Sequence, residues 1–257
     1  MATSERSETS REVSDLRDDG RPLPGQSHDH LWLSAAGVRR LLLFVALGLS
    51  VISIGGQFAK RIWPDVEWLQ TASALLNVSS EQTLPTLIAS LGLLVLAILA
   101  WTIGTVQGRH GASPWWGRVA AAVPAYMAAD EFLMLHERTI APLRRLFGTG
   151  GGWLHYAWVV PALALVLLTV IIGYRWLTTL GAPARRRTLL GAAIFVVGAV
   201  GLEMLAGWLV SGGHTHWLLL NSVSTVEEFL EMAGVAVAAE GLLLGLARYR
   251  TRITVER

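Results

Sequence analysis

Six apolar stretches, each about long enough to cross a lipid bilayer, constrain the fold of this chain more than any other feature. They cover residues 38–59, 84–107, 117–137, 154–177, 188–210 and 223–247. A helix needs about 20 apolar residues to cross a hydrocarbon core about 30 Å thick. The stretches lack the alternation of apolar and polar residues that marks membrane strands. We therefore expect an all-α polytopic membrane protein, a bundle of six transmembrane helices.

The amino-acid composition agrees with a membrane protein. Hydrophobic residues make up 53% of the 257 residues and charged residues only 16%, whereas soluble domains carry about 25% charged residues. The chain has no cysteine, which excludes disulfides, thiolate metal sites and thiol catalysis. Its arginines are spread over several loops and do not cluster on one face, so we expect no nucleic-acid partner.

The chain divides into a membrane domain and two polar tails. Residues 1–30 are rich in Ser, Asp, Glu, Arg, Gly and Pro and are expected to form a disordered cytoplasmic tail. Residues 31–250 hold the six spans, and residues 251–257 form a short C-terminal tail. Between the first two spans, residues 60–83 mix tryptophan and leucine with polar residues, a pattern typical of a helix lying in the outer membrane interface.

Basic residues are distributed unequally between the two sides of the expected bundle. With a cytoplasmic N-terminus, five of them lie in the outer loops, namely Lys60, Arg61, Arg138, Arg144 and Arg145. Twelve lie in the inner segments, namely Arg39, Arg40, Arg109, Arg118, Arg175, Arg185, Arg186, Arg187, Arg248, Arg250, Arg252 and Arg257. Cytoplasmic segments of membrane proteins carry an excess of Lys and Arg. We therefore expect a protein of the bacterial inner membrane, surrounded by bilayer lipid, with both termini in the cytoplasm.

Three carboxylates lie within the apolar spans. A helix rises about 1.5 Å per residue, so counting from the expected outer end of each span places Asp130 and Glu203 about 12 Å deep and Glu231 about 10 Å deep. An ionised acid at the bilayer centre costs about 2.5–3.5 kcal/mol, and no Lys or Arg lies at this depth to compensate. The three acids therefore predict a shared site that opens outward and holds protons or a metal ion.

The expected start of the last span is Ser224. The run STVE has the capping-box pattern, and Thr225 with Glu228 offers a second register. Capping would explain one of Glu227 and Glu228. It does not explain Glu231, which lies two turns inside the helix.

The first hypothesis for this site is a divalent metal ion. Carboxylates from three helices, Asp130, Glu203 and Glu231, together with histidine, would form an oxygen-rich shell that suits Mg, Mn, Ca or Fe, and Zn is a further option. A bound ion would polarise water or a phosphoryl oxygen of a lipid-linked or other membrane-associated substrate. The histidines that could join the shell are His136, His155, His214 and His216.

Two other functions fit the same residues. Acids within the membrane, together with Pro124, Pro161 and abundant glycine, also suit a proton- or cation-coupled transporter. Apart from Glu240, however, the inner halves of the spans carry almost no charge. In the third interpretation, a receptor or scaffold, the acids are protonated and only join helices by hydrogen bonds.

Four motifs together resemble an uncharacterised group of bacterial multi-pass membrane proteins. They are LNVSSEQTLPT, DEFLMLHE, GLEM and TVEEFLEMAG, within residues 75–247. The resemblance implies the multi-span fold and one polar site, formed by Asp130, Glu131, His136, Glu137, Glu203, Glu227, Glu228 and Glu231. It also draws attention to Glu81 as a possible additional site residue. The sequence departs from the group after Pro85, where Leu87-Ile88-Ala89 stands in place of an aromatic residue.

Overall fold

The structure, a computed structural model, describes residues 34–148 and 150–249. Of these residues 84% are helical, and none of them forms a strand. The expected tails, residues 1–30 and 251–257, lie outside the described residues. The all-α class expected from the apolar stretches is therefore confirmed for the part of the chain that the structure describes.

Nine α-helices follow one another in the described residues. They are α1 (Ala35–Ile62), α2 (Glu67–Leu75), α3 (Leu84–Arg109), α4 (Trp115–Leu133), α5 (Leu135–Phe147), α6 (Val159–Thr179), α7 (Ala182–Val196), α8 (Glu203–Ser211) and α9 (Trp217–Ala247). A short 3-10 helix covers Gly152–Leu154, and a π-helical segment, Val197–Leu202, joins α7 to α8 without a break.

Five helical segments among the described residues are long and apolar enough to cross a membrane, which indicates a membrane protein. They are Ala35–Ile62, Leu84–Arg109, Val159–Thr179, Ala182–Ser211 and Trp217–Ala247. Helix α4, in the region of the expected third span, is not among them. It has only 19 residues, so any span-length stretch of it includes all three of its charged residues, Arg118, Asp130 and Glu131.

Helix α9 lies at the centre of the bundle. In its most apolar stretch 67% of the residues are buried, against 11% in α6. It packs most extensively against α7 and α1. A Cβ added to Gly234 would lie 2.6 Å from the backbone nitrogen of Phe195, so only glycine permits this close approach of α7 and α9. Small residues at helix interfaces are typical of membrane bundles.

Helix α9 begins at Trp217 and not at Ser224, so the expected capping box is wrong. Thr225 lies inside the helix, where its hydroxyl donates to the carbonyl of Asn221 at 2.7 Å. Contacts with α1 stabilise the turns of α9 that precede Ser224. The guanidinium of Arg61 lies 3.6 Å from the ring centre of Trp217. Ser224 is therefore not the helix start from which the depth of Glu231 was counted; Glu231 lies 14 residues, about 21 Å, along the helix from Trp217.

Helix α4 ends at Leu133 because Met134 adopts a left-handed conformation, with φ 52° and ψ 47°. The expected third span, 117–137, is interrupted at this residue, and the chain continues as α5. The outer part of that span therefore forms a corner instead of a continuous helix. This corner redirects His136 and Glu137.

The bundle has two ends, named here for the groups they carry. Helices α1 and α9 are antiparallel, since Arg61 contacts Trp217 at one end and Arg39 pairs with Glu240 towards the other. The site end holds the last turn of α1, the first turn of α3, the α4–α5 corner and the first turns of α9. The arginine end holds the first turns of α1 and α7 and the last turn of α9.

Candidate functional site

Three side chains at the site end converge on a small space. One ligand atom each from Glu81, His136 and Glu137 lies within 4.8 Å of the other two, a spacing that could hold a metal ion. Glu81 precedes α3, while His136 and Glu137 belong to the first turn of α5. Glu81 and His136 are partly buried and Glu137 is exposed, so this group, the metal triad, faces the surface at the site end.

Asp130 fixes the orientation of His136. The backbone N–H of His136 donates to Oδ1 of Asp130 at 2.8 Å, and Nδ1 of the imidazole lies 2.9 Å from Oδ2. A carboxylate only accepts hydrogen bonds, so the contact at Nδ1 places a hydrogen there when Asp130 is ionised. The turn at Met134 makes this contact possible, because it folds the start of α5 back over the last turn of α4.

Trp158 connects the metal triad to α8. Its ring centre lies 4.8 Å from that of His136, and its indole N–H donates to Oε1 of Glu203 at 3.2 Å. Glu203 is the first residue of α8, directly after the π-helical segment. The indole therefore packs on one site residue and holds another by a hydrogen bond.

The carboxyl groups of Glu203 and Glu227 lie close enough together for their charges to interact. Two ionised carboxylates at close range repel each other, which favours a shared proton or a bound cation. The carboxyl groups of Glu228 and Glu231 lie close enough to those of Glu131 and Glu203 for their charges to interact. The residues named from the sequence thus lie in one acidic cluster: Asp130, Glu131, His136, Glu137, Glu203, Glu227, Glu228 and Glu231.

The π-helical segment brings α8 close to α9. A Cβ on Gly198 would lie 3.0 Å from the carbonyl oxygen of Glu227 and 3.2 Å from Cγ of Glu231. A Cβ at this position would require the π-helical segment or α9 to shift by a few tenths of an ångström. Single π-helical turns insert a residue into a helix and are frequent at functional sites. The insertion sets the register in which Glu203 meets Glu227.

Glu81 carries a buried oxygen without a partner. Its Oε2 is inaccessible to solvent and accepts no hydrogen bond from any described residue. The following residue, Gln82, has a left-handed backbone with φ 59°, a conformation that is uncommon outside glycine and often found at functional sites. Burial raises the pKa of the Glu81 carboxyl above 4.5; nearby His136 lowers it, and the carboxylates of Glu137, Asp130 and Glu203 raise it further.

The other three candidate histidines lie outside the metal triad. His155 accepts or donates a hydrogen bond with the Ser211 hydroxyl at 3.0 Å. His214 lies exposed in the loop between α8 and α9, 6.1 Å from the ring centre of Trp208. His216 is the exposed residue that precedes α9. Each belongs to the site end, but none joins the group that could hold an ion.

A separate ion-pair group lies towards the arginine end. Oε2 of Glu240 lies 3.3 Å from a guanidinium nitrogen of Arg39 and 3.3 Å from one of Arg187. The carboxylate of Glu240 is almost fully buried, so the two arginines compensate its charge. This group joins α1, α7 and α9 and is not part of the acidic cluster.

Sequence reasoning missed two features of the site. Trp158 follows His155 and Tyr156 in the run HYAW, and this concentration of aromatic residues after a glycine-rich loop was the available signal. The left-handed turn at Met134 had no signal, because neither glycine nor proline stands there.

Comparison with known proteins gives one match. Residues 42–244 match the family described as a domain of unknown function, DUF8692. No curated protein and no solved structure gives a significant match.

Proposed function

The chain belongs to the DUF8692 family. We propose that it is a six-span membrane protein whose metal triad binds a divalent ion. The observation that carries this proposal is the convergence of Glu81, His136 and Glu137, in which the buried Oε2 of Glu81 has no partner among the described residues. A buried, unpaired carboxylate oxygen is costly. A cation would compensate it.

The donor set fits an ion of intermediate hardness. Asp130 engages Nδ1 of His136, which leaves Nε2 as the ring nitrogen available to an ion. A carboxylate that holds a ligating imidazole in this way is a common feature of metal sites. Two carboxylates and one imidazole suit Mn, Fe or Zn, with Mg as a harder alternative.

The proposed topology adds α4 to the five candidate spans as the sixth. Its charged residues, Asp130 and Glu131, face the acidic cluster and not lipid, which supports a span that is tolerated in spite of its charge. The arginine end then faces the cytoplasm, as the excess of basic residues there predicts. The site end faces outward, with α2 and α5 lying at the membrane interface.

In the reaction we propose, a membrane-associated substrate would reach the triad from the outer leaflet. A bound ion supplies Lewis-acid chemistry, either polarising a carbonyl or phosphoryl oxygen or activating water. Asp130 keeps His136 oriented, and Trp158 keeps Glu203 beside it. The pair Glu203 and Glu227 would hold a proton that can be donated to a leaving group or accepted from water.

A cavity favours proton- or cation-coupled transport as the second candidate function. It has a volume of about 40 Å³, and Glu231 lines it together with apolar residues of α1, α3 and α7. It extends the acidic cluster towards the ion-pair group at Glu240. Flux of protons or Mn²⁺ into proteoliposomes that Glu231→Gln abolishes would establish transport; the absence of flux under any imposed gradient would exclude it.

Elemental analysis of the purified protein tests the metal proposal. The protein would be analysed as isolated, after chelation, and after reloading with Mn²⁺, Fe²⁺, Zn²⁺ or Mg²⁺. We expect a stoichiometric ion that chelation removes and reloading restores. A protein that takes up none of these ions would contradict the proposal.

A further inference from the structure

A groove, the α4–α6 groove, lies between these two helices. Its volume is about 260 Å³, and its walls are residues of α4 between Trp116 and Tyr126 and residues of α6 between Leu165 and Gly173. Among the lining side chains, only those of Trp116, Tyr126 and Thr169 carry a polar atom. The groove therefore suits an apolar occupant.

The length and volume of the groove indicate what kind of apolar group fits. Tyr126 lies ten residues after Trp116, which corresponds to about 15 Å along the helix. A second helix of this length, about 10–12 Å across, would occupy on the order of 1,000 Å³, several times the volume of the groove. An extended hydrocarbon chain is much narrower than a helix. The groove thus favours a single chain over a helix from a second copy of the protein.

The α4 wall of the groove continues to the metal triad. Val123, Tyr126 and Asp130 are spaced by three and four residues, so they lie on one face of α4. The phenol of Tyr126 lies close enough to the carboxylate of Asp130 for the charge of Asp130 to act on it. Asp130 in turn lies 2.9 Å from Nδ1 of His136. At its Tyr126 end, the groove therefore points towards His136.

The α6 wall leads to the same histidine. Trp158 directly precedes α6 and lies seven residues before Leu165, so the two side chains share a face. The ring centre of Trp158 lies 4.8 Å from that of His136, and its indole N–H donates to Glu203. Both walls thus end at a group that contacts His136. The polar end of a chain in the groove would meet the metal triad.

The groove is open on its outer side. Tyr126, Leu165 and Leu168 are 51%, 37% and 51% exposed. In the proposed topology both helices cross the membrane, so these exposed side chains border hydrocarbon. A lipid in the bilayer can enter the groove sideways, without passing through water.

We propose that the α4–α6 groove binds the hydrocarbon chain of a lipid whose polar end lies at the metal triad. This inference rests on the proposed function and names its substrate class, a membrane lipid with a long chain. The apolar walls hold the chain, and the convergence of both walls on His136 sets where the polar end lies.

Gly173 allows the groove to be filled without disturbing the bundle. It lines the groove, and a Cβ added to it would meet no atom of another helix within 4 Å. In Gly173→Phe the aromatic ring can therefore occupy the space of the chain. Gly48 of α1 also has open space around an added Cβ and does not line the groove. Gly48→Phe is thus the matched control.

Photolabelling with a defined probe tests the inference. Purified protein would be irradiated with hexadecanol that carries a diazirine in mid-chain, with and without excess plain hexadecanol, and labelled peptides identified by mass spectrometry. In wild type and Gly48→Phe we expect labelling of α4 and α6 that the excess suppresses. In Gly173→Phe this suppressible labelling should fall at least tenfold. If that variant does not fold, Ala122→Phe, at an exposed residue of the same groove, should give the same loss.

Four outcomes would overturn the inference. They are labelling that excess hexadecanol does not reduce, as contact with bulk lipid alone would give; no labelling of α4 and α6 in wild type, as a second copy covering the groove would give; equal labelling of wild type and Gly173→Phe; and an equal fall in Gly48→Phe. The probe is uncharged and needs no ion, so metal content of the same preparations separates the two proposals. Suppressible labelling of a protein that takes up no ion would contradict the metal proposal alone.

Discussion

Nδ1 of His136 lies 2.9 Å from Oδ2 of Asp130, and the backbone N–H of the same histidine donates to Oδ1 at 2.8 Å. Both oxygens of Asp130 are therefore engaged by one residue. In the proposed metal site, Asp130 would therefore act through His136 and would not itself be a ligand. The stretch AADEFLMLHERT, residues 128–139, thus spans the turn between α4 and α5, and its residues Asp130 and His136 are in contact.

The Asp130→Asn variant should bind metal more weakly without losing the site. The amide keeps the shape but lacks the charge that stabilises the imidazole, and the loss of such a partner typically weakens metal affinity about 10–100-fold. Titration of the metal-free protein with Mn²⁺ measures this. The exposed Asp65, in the loop after α1, offers Asp65→Asn as the matched control; equal weakening in both variants would contradict a specific role for Asp130.

The Met134→Gly variant should be more stable than wild type. A left-handed conformation costs a residue with a side chain roughly 1–2 kcal/mol, and glycine avoids this. We therefore expect a gain of about 1 kcal/mol, partly offset by the greater freedom of glycine in the unfolded chain. Met127→Gly, within the right-handed part of α4, should instead lose at least about 1 kcal/mol, because glycine disfavours the helix and the Met127 side chain packs against the core. A loss of stability in Met134→Gly would contradict this prediction. It would show that the side chain of Met134 stabilises the protein by more than its left-handed backbone conformation costs.

The raised pKa of Glu81 predicts opposite pH dependences for stability and metal affinity. Above pH 4.5, and up to the raised pKa, Glu81 is protonated in the folded protein and ionised in the unfolded chain. Its contribution to the stability of the metal-free protein is therefore complete at low pH and is lost as pH rises through this window. Metal affinity should increase over the same window, because the ion needs the carboxylate.

Glu81→Gln isolates this effect from the other acids. In this variant, stability and metal affinity should lose the pH dependence that Glu81 provides. The difference in each quantity between wild type and variant should therefore change with pH only above pH 4.5. Chemical denaturation and Mn²⁺ titration across a pH series measure the two profiles. If the differences in stability and metal affinity between wild type and variant did not vary with pH, Glu81 would not be the group that causes the pH dependence.

The Gly198→Val variant should increase the distance between the helices that carry Glu203 and Glu227. A Cβ at this position would lie 3.0 Å from the carbonyl oxygen of Glu227, and overpacking of this kind costs about 1–3 kcal/mol. Gly201→Val is the matched control in the same π-helical segment, since its Cβ would meet only Val197, at 3.9 Å. Thermal unfolding compares the two variants, and similar losses would mean that the close approach of the π-helical segment to α9 does not contribute to stability.

The sequence predicted the all-helical class and identified the acids within the apolar helices, because both follow from one-dimensional patterns. Apolar length identifies spans, and charges within spans identify buried acids. The prediction from sequence was wrong at the start of α9, because the capping-box pattern at Ser224 indicated that the helix begins there. The preceding residues form further turns because Trp217 packs against Arg61 of α1, a contact between distant segments that no local pattern reports.

The three-dimensional arrangement of the site residues could not be predicted from the sequence either. Depth counting assumed straight helices, whereas the chain turns at Met134 and gains a π-helical segment before Glu203. Both irregularities move acids relative to one another. Glu81 lies on a different segment and joins His136 and Glu137 only through the fold.

Metal stoichiometry in matched histidine variants tests the central claim most directly. Wild type, His136→Ala and His214→Ala would be reloaded with the same ion and analysed for metal per chain. We predict that His136→Ala loses the ion while His214→Ala, altered in an exposed loop at the same end of the bundle, retains it. Full metal occupancy in His136→Ala, or equal loss in both variants, would contradict a metal site between Glu81, His136 and Glu137.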